Sequence, residues 1–197
     1  MDLQCTVRLR LLPVHGQLHC QLAQPSRKHL LVSQFRALFI ITNGRKSIAT
    51  HASLEFSHVS SQGWVEFQDF DMRYQSSDGS LTPAHKTSMW IDALLGAAAQ
   101  SGREPLVGPK LSAWVTNAGF INVTERVFTF PIGGWPREPT LRKVGMINLV
   151  AILEGLEAFS MRLLCDVAGW GESDVHALLG QVHDELLSGA FHAYIKL

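Results

Sequence analysis

Cysteine is scarce in this 197-residue sequence: Cys5, Cys20 and Cys165 are the only three. So few scattered thiols exclude a disulfide framework and point to a reducing compartment, with the cytoplasm as the expected location and the nucleus as the alternative. Charge of one sign is lacking as well, since 17 Lys/Arg balance 17 Asp/Glu. That balance argues against a nucleic-acid binder relying on a basic field, though not against a local basic patch, and no nucleic-acid partner is expected. No apolar run reaches the roughly 20 residues of a membrane span. The nearest candidate, Leu30 to Ile41, is broken by Gln34 and Arg36, so no membrane partner is expected. The motifs GxSxG, GxxxxGK(S/T) and HExxH are absent, leaving hydrolase, P-loop and zinc-protease chemistry without support.

What is present is the material of a core. Apolar residues make up 46% of the chain and charged residues 17%, and the length suits one domain of ordinary size. The zero net charge hides a division. Residues 1–61 carry seven Lys/Arg against Asp2 and Glu55, whereas residues 62–197 carry ten against fifteen acids. This break predicts two regions, 1–61 and 62–197.

In the first region, Leu30 to Ile41 and Ile48 to Val59 flank Asn43-Gly44 and suggest a hairpin. Cys5, His15, His19 and Cys20 match no common zinc spacing, and no metal site is expected. Beyond residue 62 the alternation from Trp64 to Asp71 predicts a strand ending in acids. Thr82-Pro83 predicts a helix start, with Trp90, Leu94 and Ala98 on one face and a stop at Gly102. Gly108-Pro109 opens a shorter helix closed by Gly119. Ile121, Val123 and Val127 predict a strand ending at Pro131, followed by the turn Gly133-Gly134-Trp135-Pro136.

Pro139 opens the longest helix, with an apolar stripe of Leu141, Val144, Ile152, Leu156, Phe159 and Leu163 on which Asn148 falls. Val175, Leu178, Leu179, Val182 and Leu186 predict a further helix ending at Gly189. Phe191, Ala193, Ile195 and Leu197 alternate with His192, Tyr194 and Lys196 in a final strand. The order of elements is that of a mixed α/β architecture.

The segments Gly63 to Asp71 and Ala118 to Arg126, with Pro131-Ile132-Gly133-Gly134-Trp135-Pro136, Leu153-Glu154-Gly155-Leu156-Glu157 and His192-Ala193-Tyr194, closely resemble the carboxyl-terminal half of fungal class I S-adenosylmethionine (SAM)-dependent methyltransferases. The group is similar to trans-aconitate methyltransferase domains and to the fungal regulator of secondary metabolism that carries a methyltransferase fold. The resemblance covers roughly residues 62–197. It implies that the three strands are the fifth, sixth and seventh of a Rossmann-like sheet ordered 3-2-1-4-5-7-6.

That family grips its cofactor in the amino-terminal half, through a glycine-rich GxGxG-type loop after the first strand and an acid after the second. Residues 1–61 hold only Gly16 and Gly44 and are too short for four strands with their crossover helices. At the junction, Ser61-Gln62-Gly63 replaces the family's usual Pro-Gly-Gly turn. The expected fold is therefore an incomplete class I methyltransferase: residual strands 5-7-6 with helices, the cofactor half missing, and no tight binding of SAM. SAM enters by resemblance alone.

Methyl transfer asks little of a protein beyond alignment of nucleophile, methyl and sulfur, so no residue is assigned a catalytic role. Candidate pocket residues are Asp71 and Tyr74, near the strand end where open α/β sheets place ligands. His85 and Trp90 join them, since the family covers its substrate with this region, although a buried Trp90 and an exposed His85 are the simpler reading. Trp135 and Trp170 lie outside regular elements and suit a pocket wall or edge packing equally. Asn148 needs a hydrogen-bond partner if buried, and a backbone carbonyl is preferred. His176 and His183 read as surface residues.

Three functions compete: an auxiliary protein of fungal secondary metabolism that handles a small-molecule intermediate without donating methyl, an active SAM-dependent methyltransferase, and a regulatory interaction module. The first is favoured because of the missing loop. The strand Trp64 to Asp71 would lack its fourth-strand neighbour, and an intramolecular hairpin, a partner protein or a second copy is expected on that edge.

Overall fold

The computed structural model describes residues 67–197. Strands β1 (Asp71–Gln75), β2 (Thr129–Pro131) and β3 (Tyr194–Lys196) form a sheet ordered β1-β3-β2, with both pairings antiparallel. The last strand in sequence is thus the middle strand of the sheet. Asp71 pairs with Lys196 and Gln75 with Tyr194, with an irregularity between them. On the other side Thr129, Phe130 and Pro131 pair with Lys196, Ile195 and Tyr194. This ladder continues past β2, for Ile132 N donates to Ala193 O at 2.8 Å.

The helices are α1 (Lys86–Gln100), α2 (Gly108–Asn117), α3 (Pro139–Met161) and α4 (Glu172–Ser188), with a π-helical segment Arg162–Val167 continuing α3. Helix α1 packs on β1, α4 and the π segment, and α3 packs on β2 and α4. Their shared core includes Trp90, Ile132, Leu149, Ile152, Leu156, Leu164, Val175, Val182, Phe191 and Ile195. Full burial of such side chains stabilises by about 1.5–3 kcal/mol each. A smaller cluster of Leu111, Val115 and Phe120 forms around α2, with Phe67 edge-on to Phe120 at 6.4 Å.

The helix ends follow capping chemistry. Glu138 accepts from Thr140 N at 2.8 Å and Leu141 N at 2.6 Å, with Pro139 in the first turn where its missing N–H costs nothing. Gly189 ends α4 with φ of 66°, a left-handed conformation that glycine takes without strain.

Several boundaries differ from the sequence pattern. The first strand is Asp71–Gln75 rather than Trp64 to Asp71; residues 67–70 are irregular, and 64–66 lie outside the described residues, as does the expected hairpin of residues 30–59. Pairing with β3 decides the strand, and alternation upstream has no described ladder to join. Strand β2 begins at Thr129, after an irregular stretch in which Asn122 has φ of 57°. That left-handed residue breaks the extended run expected from Ile121 to Val127. Helix α1 starts at Lys86 rather than at Thr82-Pro83: residues 82–85 form a turn in which His85 N donates to Thr82 O at 3.1 Å, and Thr82 N and Oγ1 lie 3.0 and 2.9 Å from His85 Nδ1.

The buried stripe of α3 and its continuation is Gly145, Leu149, Ile152, Leu156, Ser160, Leu163 and Leu164. Leu141 is exposed, which corrects its place on the expected stripe. Among the described residues, the continuous helix 139–167 is long and apolar enough to cross a membrane, contrary to the reading that no segment approaches this. Its inner stripe belongs to the core, while Met146, Ile147 and Val150 stay exposed.

Candidate functional site

The antiparallel pairing of Gln75 with Tyr194 brings the loop leaving β1 beside the residues entering β3. This is the carboxyl end of β1, where open α/β sheets bind ligands. The loop Ser76–Ser80 closes around Asp78. Its Oδ1 accepts from Ser76 Oγ and Ser80 Oγ, each at 2.6 Å, and from Ser80 N at 3.0 Å. Its Oδ2 meets His192 Nδ1 at 2.6 Å. Hydrogen bonds from Ser76, then Ser80, then His192 hold the Asp78 carboxyl well below the usual carboxylate range. Two further bonds tie loop to strand: His192 N donates to Ser80 Oγ at 2.8 Å, and Ser77 Oγ donates to Tyr194 Oη at 3.1 Å.

On the other side of His192 stands Trp135. Its ring lies 5.2 Å from the imidazole at an interplanar angle of 30°, and its Nε1 donates to Ala193 O at 3.0 Å. His85 meets Phe191 edge-on at 5.3 Å. Phe191, Ile132 and Leu186 floor a cleft of about 250 Å³ whose rim includes Gly133, Trp135 and His192. The turn carrying Trp135 is held from α3. Gly133 N donates to Gly145 O at 2.9 Å, Arg142 Nε to Pro136 O at 3.0 Å, and Asn148 Nδ2 to Pro131 O at 2.9 Å. Gly145 is required for this approach, since a Cβ there would collide with the Gly133 carbonyl oxygen.

A larger cleft of about 530 Å³ opens beside β1, lined by Arg73, Tyr74, Pro83, Ile91, Asp92 and Lys196 among others. Burial pushes the Tyr74 phenol up, and its ring sits edge-on to Trp90 at 6.1 Å.

The six expected pocket residues therefore divide. His85 and Trp135 gather around Phe191 and His192, and Tyr74 lines the larger cleft. Asp71 stands at the amino end of β1, not past its carboxyl end, because the strand begins there. It is 5% exposed, with Arg73 Nε and Nη2 donating to it at 2.8 and 2.6 Å. Burial works against its ionisation, but the bonds and charge of Arg73, helped by Lys196, outweigh that and lower its pKa. Trp90 is 2% exposed and donates from Nε1 to Ser160 Oγ at 2.8 Å, so it is a core residue. Asn148 finds the backbone carbonyl expected for it. Trp170 is exposed, three residues beyond the π segment. Asp78 and His192 were missed as site residues; the cues were the acceptor-rich Ser76-Ser77-Asp78-Gly79-Ser80 turn and the His192-Ala193-Tyr194 ending.

Three relatives carry the family question. The methyltransferase pytC of Aspergillus terreus is 33% identical over 138 residues, 70% of this chain and 43% of its own length. The probable methyltransferase tdiE of Emericella nidulans is 33% identical over 140 residues, 71% of this chain and 44% of its own. The secondary metabolism regulator LAE1 of Cochliobolus heterostrophus is 29% identical over 133 residues, 67% of this chain and 43% of its own. This chain is a homologue of fungal methyltransferases related to secondary-metabolism regulators. It spans less than half the length of these relatives. No family model and no solved structure matches it. Methyltransferase relatives imply a Rossmann-like fold, and the described residues are a mixed helix and sheet structure.

SAM has no evident cradle among the described residues. Gly133-Gly134 follows β2, but it is not a GxGxG run, and a Cβ at Gly134 would lie 3.0 Å from Met146 Sδ. In the loop after β1, Gly79 is the one glycine, and Asp78 is already committed to Ser76, Ser80 and His192.

Proposed function

We propose that this chain is the acceptor side of a class I methyltransferase fold in fungal secondary metabolism, and that it binds a small-molecule intermediate at the carboxyl end of β1. In this reading β1, β3 and β2 are strands five, seven and six. The observation that carries it is the gathering of Trp135, Phe191 and His192 around one cleft at that end of the sheet, with the Asp78 loop bonded to His192 behind it. Residues 1–61 supply no glycine-rich loop, so the 197-residue chain by itself acts without SAM and has an auxiliary role in a pathway. Isothermal titration tests this directly: binding of SAM no tighter than millimolar is expected, and micromolar binding overturns the auxiliary role.

A second reading is supported by the relatives named methyltransferases, in which the chain takes part in methyl transfer with a cofactor site outside the described residues. A third follows from the relative named a secondary metabolism regulator. Gene deletion separates the third from the other two. A change in one metabolite supports a pathway role, and a broad change in transcripts of many clusters supports the regulator. The partners proposed are a small-molecule metabolite and a covering strand, from this chain or another protein, on the outer edge of β1; the proposed compartment is the cytoplasm or nucleus.

A further inference from the structure

The cleft beside Trp135 combines three properties that restrict its ligand. Its apolar lining is Ile132, Leu186 and Phe191. Beside them stand the flat indole of Trp135 and the backbone of Gly133, Gly134 and Gly189, which carry no side chain into it. At about 250 Å³ it suits one aromatic ring with small substituents. The polar group at its edge is His192, half-exposed, with Asp78 at 2.6 Å from Nδ1.

The bond to Asp78 sets which nitrogen of that imidazole carries the hydrogen when the ring is neutral. An ionised carboxylate can only accept, so Nδ1 carries the proton and Nε2 of the neutral ring is left as an acceptor. Ser76 and Ser80 fix Asp78 from its other oxygen, and the His192 amide is fixed by Ser80, so the ring is oriented at both ends. Trp135 Nε1 is spent on Ala193 O and offers the ligand no donor. A ligand that satisfies this cleft is flat and apolar and brings one hydroxyl donor.

From this arrangement we propose that the cleft binds a phenol, with His192 Nε2 receiving its hydroxyl hydrogen and Asp78 holding the imidazole in place. In the proton-transferred form the O–H bond breaks with its electron pair left on oxygen. Nε2 gains the proton, and the resulting imidazolium is paired with Asp78 on one side and the phenolate on the other. His192 would contact the ligand, and Asp78 is a positioning residue. The inference rests on the acceptor-side reading above for the choice of sheet end. It needs no cofactor, so its test is independent of whether SAM binds.

The full 197-residue chain is titrated with 4-nitrophenol, with its methyl ether 4-nitroanisole, and with 4-nitrobenzoate, all without SAM. The phenol is expected to bind about tenfold or more tightly than the ether, the scale of one hydrogen bond to a charge-coupled acceptor. Its absorbance is expected to move toward the phenolate band at a pH where the free phenol is mainly protonated. His192→Phe, which keeps a ring against Trp135, is expected to abolish both the preference and the spectral shift, and Asp78→Asn to reduce both. Equal affinity for phenol and ether, no binding of either, or tighter binding of the benzoate overturns the proposal. So does a full phenol preference in a folded His192→Phe chain. If that variant does not fold by circular dichroism, the comparison of the three ligands on the unaltered chain decides alone.

Discussion

The carboxylate of Glu185, on α4, receives both the backbone amide of Thr87 at 2.8 Å and its hydroxyl at 2.9 Å, while its other oxygen takes the Lys86 amide at 2.9 Å. A side chain 98 residues further along the chain thus caps α1, whose own N-cap residue, His85, provides no side-chain cap.

Replacing Glu185 by Ala is expected to cost about 1 kcal/mol, the scale of a lost cap, kept low because solvent reaches the carboxylate. Burial opposes its ionisation, but the Thr87 and Lys86 bonds outweigh that and lower its pKa. A depressed folded pKa means this contribution is complete above the ordinary glutamate value of about 4.3 and is lost as pH falls through the folded value. Urea titrations at neutral and acid pH check it: the deficit of Glu185→Ala should shrink toward acid.

Gly145 and Gly180 are both helical glycines, and opposite outcomes are expected for Ala at each. At Gly145 the new Cβ strikes the Gly133 carbonyl oxygen and approaches Pro131 Cβ to 3.1 Å, which should cost about 1–3 kcal/mol and displace the Trp135 turn. At Gly180 nothing lies within 4 Å, so Gly180→Ala should stabilise by about 0.5–1 kcal/mol. Thermal melts of the two variants give the sign.

Ser160 is fully buried between Trp90 Nε1 and the Leu156 carbonyl, to which it donates at 2.5 Å. Ser160→Ala would leave the indole N–H without a partner in the core, at a cost of about 1–3 kcal/mol. Trp90→Phe in the same background removes the orphaned donor, and a double-mutant cycle should return part of the loss.

Among the described residues β1 pairs on one edge only, with β3. Open edges of this kind recruit further strands. A chain beginning at Gln62 is expected to self-associate more than the 197-residue chain by light scattering; equal behaviour would remove the idea that residues 1–61 cover that edge.

The helices were legible because their signals are local. Pro139, Gly108-Pro109 and Gly189 mark ends through backbone chemistry that any environment would respect, and Ile152, Leu156 and Leu163 recur at helical spacings whatever they pack against. The alternation of Phe191, Ala193 and Ile195 likewise announced a strand with one buried face, and Val175, Leu179, Val182 and Leu186 announced the inner face of α4. Strand limits were not legible. Whether Trp64 to Asp71 or Asp71–Gln75 pairs is a matter of partner and register, and only β3 decides it. Gly145 carried a weak local cue, a costly glycine within a helix, but the carbonyl it makes room for lies across the chain at Gly133. Asp78 and His192 each stood in a segment with a local cue, but nothing local joined the two. Residues 114 apart meet because β3 runs antiparallel to β1, and the tertiary pairing, rather than any spacing in the sequence, placed an imidazole beside a carboxylate at the mouth of an apolar cleft.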